Sequence, residues 1–198
     1  ATEIDPALGV AAGDADFAGV PCRTIRAGDR ATILYLHGGG YRMGSPEAYN
    51  AYAAALAVGA EATVVLPRYR LAPENPFPAG LRDALAVYEQ LASAAEGPII
   101  LGGDSAGAGL AAAVIVAAKT SNVRRPDGLM LLSPWLDLHC SSPFYETAPD
   151  VFFPLATAAS ARDDYLQGAS ASDPLASPLL ADHTGFPPTL IQVGGNEA

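Results

Sequence analysis

Basic residues are scarce in this chain. Eleven lysines and arginines face 21 aspartates and glutamates, which leaves a net charge of −10 over 198 residues. That balance argues against a protein that grips a phosphate backbone or an anionic membrane surface, and neutral small molecules suit it better. Cysteine is equally scarce. Cys22 and Cys140 stand alone with no C-x-x-C spacing, so neither a disulfide framework nor a zinc site is expected, and both are read as reduced structural thiols. No metal and no cofactor is implied. No apolar run reaches the roughly 18 residues that a membrane helix needs, and no charged-then-apolar leader opens the chain, so the default expectation is a cytoplasmic protein. Internal repeats and low-complexity linkers are also missing. At 50% apolar content the chain has the material for a substantial core, and residues 1–198 read as one domain.

What is present is an alternation of short apolar runs with longer helical patterns. Strand-like runs cover Thr32 to Leu36, Thr63 to Leu66, Ile99 to Leu101, Leu129 to Leu132 and Thr189 to Val193. Helical patterns cover Glu47 to Val58, Ala79 to Ala95 and Ser105 to Lys119. Alternation of this kind predicts a parallel sheet, with Phe17 to Arg26 as an additional edge strand. The proline-punctuated stretch Leu66 to Pro78 reads as an ordered loop. The stretch Ser141 to Thr157 carries Phe144, Tyr145, Phe152 and Phe153, which either border a pocket or pack ordinarily.

Two glycine motifs carry chemistry. Gly103-Asp104-Ser105-Ala106-Gly107 lies between an apolar strand and an alanine-rich helix, the context of a nucleophile elbow that presents Ser105 to a carbonyl carbon. The pattern alone arises by chance in about one chain in ten of this length, so its strand–turn–helix context decides the reading. His37-Gly38-Gly39-Gly40-Tyr41 follows the strand Thr32 to Leu36 and is far rarer. Attack by Ser105 creates an oxyanion, and glycines let backbone amides approach it closely; Gly38, Gly39, Gly40 and the amide of Ala106 are the candidate donors. Tyr41 is a candidate wall of the substrate pocket, with core packing as its other reading. Asp104 should point away from substrate and accept structural hydrogen bonds.

Together with Tyr69-Arg70-Leu71-Ala72-Pro73-Glu74, Ser133-Pro134-Trp135-Leu136-Asp137-Leu138 and Asp173-Pro174-Leu175-Ala176-Ser177-Pro178, these motifs resemble the hormone-sensitive-lipase-like branch of the α/β-hydrolases, from about Ala31 onward. The resemblance implies an α/β-hydrolase fold, a mostly parallel sheet with helices on both faces. It implies a serine carboxylesterase that acts on short to medium acyl esters through an acyl-serine intermediate. It places the triad carboxylate after the strand Thr189 to Val193, at Glu197. The expected partner is a small-molecule ester, with homodimers common in the family.

The three histidines do not complete that arrangement. His37 belongs to the glycine motif, where a side-chain hydrogen bond fixing the loop is expected. His139 and His183 precede Glu197, against the order Ser, acid, His of this fold, and read as polar loop residues. The resemblance puts the catalytic histidine about 30 residues beyond Ala198. The chain is accordingly expected to be a fragment, cut before the last strand and helix and without an amino-terminal cap. Two alternatives stay open: a triad of Ser105, Asp137 and His183, against Asp137 as a cap on local amides; and a non-catalytic binding protein on the same fold.

Overall fold

The fold is described by a computed structural model that covers residues 3–121, 123–147 and 153–195. In chain order it runs β1 (Ala11–Phe17), β2 (Val20–Arg26), β3 (Thr32–Leu36), α1 (Asn50–Ala60), β4 (Thr63–Pro67), α2 (Ala79–Ala94), β5 (Ile99–Asp104), α3 (Ala106–Ala118), β6 (Gly128–Leu132), α4 (Phe144–Thr147), α5 (Leu155–Leu166) and β7 (Thr189–Gln192). The seven strands form one sheet in the order β1-β2-β4-β3-β5-β6-β7. Pairing is antiparallel for β1 with β2 and β2 with β4, and parallel from β4 onward.

The side-chain period of two along each strand sorts the core into two layers. Ile33 and Tyr35 of β3 and Val64 and Leu66 of β4 face one side, where Ala53, Ala54 and Ala57 of α1 cover them. Leu34, Leu36, Leu101 and Leu131 face the other side and meet α2 and α3. Helix α3 is buried almost all round, from Ala106 to Ile115, which explains an apolar sequence with no polar stripe. Its alanines and glycines let it sit close to the sheet. A Cβ at Gly103 would lie 2.6 Å from the carbonyl oxygen of Leu36, and one at Gly107 would overlap the carbonyl oxygens of Leu36 and His37.

Two expectations are corrected at their edges. The amino-terminal edge is a hairpin, not one strand: Phe17 ends β1, Val20 starts β2, and seven residue pairs run from Ala11↔Arg26 to Phe17↔Val20. The helix expected from Glu47 opens as a 3₁₀ turn at Pro46–Tyr49 and becomes α-helical only at Asn50; neither N-cap residue, Ser45 or Tyr49, makes a side-chain cap. Helix α5 has no counterpart in the sequence reading. At the other edge β7 is exposed along its whole length, with Leu190 and Ile191 59% and 56% accessible. Among the described residues no helix is long and apolar enough to cross a membrane.

The glycines of α1 and α3 should answer oppositely to alanine. Gly107→Ala drives a methyl into two backbone carbonyls and should lose stability at or beyond the usual cost of overpacking, about 1–3 kcal/mol. Gly59→Ala, in α1 with nothing within 4 Å of the added methyl, should gain about 0.5–1 kcal/mol. Urea unfolding of the two variants beside the parent protein checks both signs.

Candidate active site

Ser105 is the hinge between β5 and α3. It has φ +51° and ψ −121°, a conformation that a residue with a Cβ holds at about 1–3 kcal/mol. Its own backbone restrains it. The Ser105 amide donates to the carbonyl of Leu132 at 2.9 Å, while its carbonyl accepts from the amides of Gly109 at 3.1 Å and Trp135 at 3.0 Å. Three elements therefore fix the turn, and the side chain stays partly accessible.

The glycine loop reaches Ser105 because Leu36, the last residue of β3, pairs with Gly103 of β5. Asp104 ties the two together. Its carboxylate accepts from the Gly38 amide at 3.0 Å, from Tyr35 Oη at 3.1 Å and from Tyr49 Oη at 2.8 Å. This is the structural acceptor role expected of Asp104. It also corrects one candidate: the Gly38 amide is shared between Asp104 and Tyr49 Oη, and so is not free for an oxyanion. The amides of Gly39, Gly40 and Ala106 have no hydrogen-bond partner among the described residues. Gly39 and Gly40 take φ of +126° and +60°, and the Gly39 carbonyl accepts from Arg42 and Met43 at 3.1 Å each, which closes the turn.

His37 braces this loop as expected. Its ring is 2% exposed, Nδ1 lies 2.8 Å from the Gly38 carbonyl, and the ring stacks on Tyr69 at 4.5 Å, while Tyr69 Oη donates to the His37 carbonyl at 2.7 Å. Burial lowers its pKa from 6.5. Tyr41 is packed: 3% exposed, it stacks on Tyr165 with ring centroids 3.9 Å apart. Of the four aromatics after Ser141, Phe144 is exposed, Tyr145 and Phe153 pack against the core, and Phe152 lies outside the described residues. Phe153 also borders the glycine loop, 3.7 Å from where a Gly40 side chain would begin.

Glu197 lies outside the described residues. Asp137 and His183 are not brought together. Asp137 caps the His139 amide at 2.9 Å and accepts from Ser141 Oγ, whereas His183 Nε2 donates to the Pro178 carbonyl at 2.9 Å. Both cysteines are buried free thiols, Cys22 pushed up to about 12 by burial. What the sequence did not disclose is the tyrosine layer behind the loop. Tyr35, Tyr49 and Tyr69 read as ordinary core aromatics until the fold sets their hydroxyls against Asp104 and His37.

A sequence-family model for the alpha/beta hydrolase fold matches residues 33–198. An acetyl-hydrolase of Streptomyces hygroscopicus is 42% identical over 173 residues, 85% of this chain and 58% of that protein. An esterase of Acinetobacter venetianus is 36% identical over 188 residues, 91% of this chain and 62% of that protein. Among solved structures, a hormone-sensitive lipase from a metagenome library superposes with a TM-score of 0.92 at 39% identity, covering 96% of this chain and 66% of that one. The chain thus spans about three fifths of the length of these curated relatives.

The buried His37 should leave a mark on acid stability. With its folded pKa below 6.5, the unfolded chain binds a proton that the folded chain does not, so stability falls as pH drops below about 6.5, by up to about 1.4 kcal/mol per pH unit. Urea unfolding at pH 7, 6 and 5 should show this slope, and His37→Gln should flatten it.

Proposed function

The chain belongs to the hormone-sensitive-lipase-like branch of the α/β-hydrolases, and from that premise we propose that it is a carboxylic ester hydrolase working through an acyl-Ser105 intermediate. The observation that carries this is Ser105 held at positive φ, with the glycine loop joined to its strand through the Leu36–Gly103 pair and the amides of Gly39, Gly40 and Ala106 without a partner among the described residues. Ser105 Oγ attacks the ester carbonyl, and the amides of Gly39, Gly40 and Ala106 receive the developing oxyanion. Their alignment exists before substrate arrives, so the transition state gains hydrogen bonds without reorganisation. Glu197 orients a histidine supplied from outside the 198 residues, which takes the serine proton and returns it to the leaving alcohol; water then releases the acid. In this reading residues 1–198 form one α/β-hydrolase domain of a cytoplasmic enzyme whose chemistry calls for no metal or cofactor. Its substrates are neutral esters with short to medium acyl chains, in keeping with the acetyl-hydrolase and esterase names of its relatives and its own acidic balance.

One observation favours a second reading, a binding protein on the same fold. Each of the three histidines is bonded elsewhere, His37 to Gly38, His139 to Asp137 and His183 to Pro178.

A fluorophosphonate probe and p-nitrophenyl acetate separate the two readings. The ester hydrolase carries the phosphonate on Ser105, and Ser105→Ala lowers kcat/KM by at least about 10³-fold. Reversible retention of the ester with an unlabelled Ser105 would establish the binding protein instead.

A further inference from the structure

Asp137 does enter a serine–histidine–carboxylate relay, though not with the serine or the histidine that chain order suggested. His139 Nδ1 lies 2.8 Å from Asp137 Oδ1, and His139 Nε2 lies 3.1 Å from Ser172 Oγ. The chain order Asp, His, Ser is one in which hydrolytic relays occur.

The direction of the relay follows from its hydrogen bonds. Asp137 accepts the backbone amide of His139 at 2.9 Å and Ser141 Oγ at 2.9 Å. Burial alone would raise its pKa, but these donors, with the imidazole, outweigh burial and hold the carboxyl below its ordinary 3.8. A carboxylate only accepts, so Nδ1 of the neutral ring carries the proton and Nε2 is left to accept from the Ser172 hydroxyl. That is the tautomer a general base needs.

The two segments that carry the relay are fastened to each other. The Leu138 amide donates to the fully buried Ser177 Oγ at 2.9 Å, and the Leu179 amide donates to the Leu136 carbonyl at 3.1 Å. The relay's outer members are accessible: His139 and Ser172 are both exposed. His139 also borders a cleft of about 470 Å³, lined by the apolar Leu138, Leu166, Ala169 and Ala171 and by the ion pair of Arg162 and Asp163.

We propose that Ser172, with His139 as its base and Asp137 behind the imidazole, is a second nucleophile that accepts the acyl group of small aryl esters. Ser172 Oγ forms a bond to the ester carbonyl carbon as its proton passes to His139 Nε2. The tetrahedral adduct collapses by breaking the bond to the aryl oxygen, which departs as the phenol with that proton. Water then gives a proton to the same imidazole as its oxygen bonds to the acyl carbon; the bond to Ser172 Oγ breaks as the imidazolium returns that proton to Oγ, and the carboxylic acid leaves. The Ser172 amide donates to Ser170 Oγ at 3.1 Å, so it does not cradle the oxyanion. The reaction is therefore confined to esters with a good leaving group, which sets this site apart from Ser105. Nothing in it depends on the reading of Ser105.

The test is made in the full chain carrying Ser105→Ala, incubated with p-nitrophenyl acetate and mapped by peptide mass spectrometry. Acetyl should accumulate on Ser172 at least about tenfold above the nearby Ser170, and adding His139→Gln should lower Ser172 acetylation about a hundredfold, the scale of a lost general base. Acetylation of Ser172 no greater than that of Ser170, or a fall under about tenfold with His139→Gln, overturns the proposal. His139 is exposed and Ser105 partly so, and coincident unfolding curves of the variants confirm that folding is kept.

Discussion

The carboxylate of Asp104 holds the site in register. It sits at the last position of β5, one residue before Ser105, and binds the glycine loop that leaves the neighbouring strand β3. Two tyrosine hydroxyls from the opposite layer of the core, Tyr35 and Tyr49, complete its coordination. Hydrogen bonds to a charged acceptor contribute about 1.5–3 kcal/mol each, more than their neutral counterparts, and here one of them is a backbone amide of the loop itself. The approach is only open to glycine, since a Cβ at position 38 would overlap the carboxylate. The strained serine, the loop and the sheet are thus one unit, and movement of any of them would have to break an ionic hydrogen bond in a partly dry setting.

The topology supplies the room for that unit. From β3 the chain goes to β4 on one side, and β5 returns on the other, so the crevice beyond the carboxyl ends of β3 and β5 is where two loops can meet. Loop and elbow both lie there. Helix α3 then starts beneath them, and its small residues draw the helix against the strand ends rather than leaving a gap.

Much of this was legible in the residues. The central strands read cleanly because Thr32 to Leu36 and Thr63 to Leu66 are buried on both faces and hence continuously apolar. The outer strand β1 was illegible because Ala-Ala-Gly-Asp-Ala-Asp has neither apolar alternation nor β-branched residues; it is held by pairing with β2 and by an ion pair from Arg23 to Asp14. Helix α5 was hidden for a similar reason, with only Ala158, Ala161, Tyr165 and Leu166 buried in a segment broken by Thr157, Ser160, Arg162, Asp163 and Asp164. In the site, the motifs named Ser105 and the glycine loop, but a motif does not say which amide is already engaged. That Gly38 is bonded, and that His139 pairs with Ser172 across 33 residues, are facts of tertiary structure with no local signature.

Strand β7 pairs with β6 among the described residues, and Leu190, Ile191 and Val193 are accessible along it. The charge balance acts on a longer scale. A surplus of ten negative charges over residues 1–198 makes two such chains repel before they touch. Salt shortens the reach of that repulsion to about 10 Å at 0.1 M, so the ionic strength of the medium governs how closely they approach.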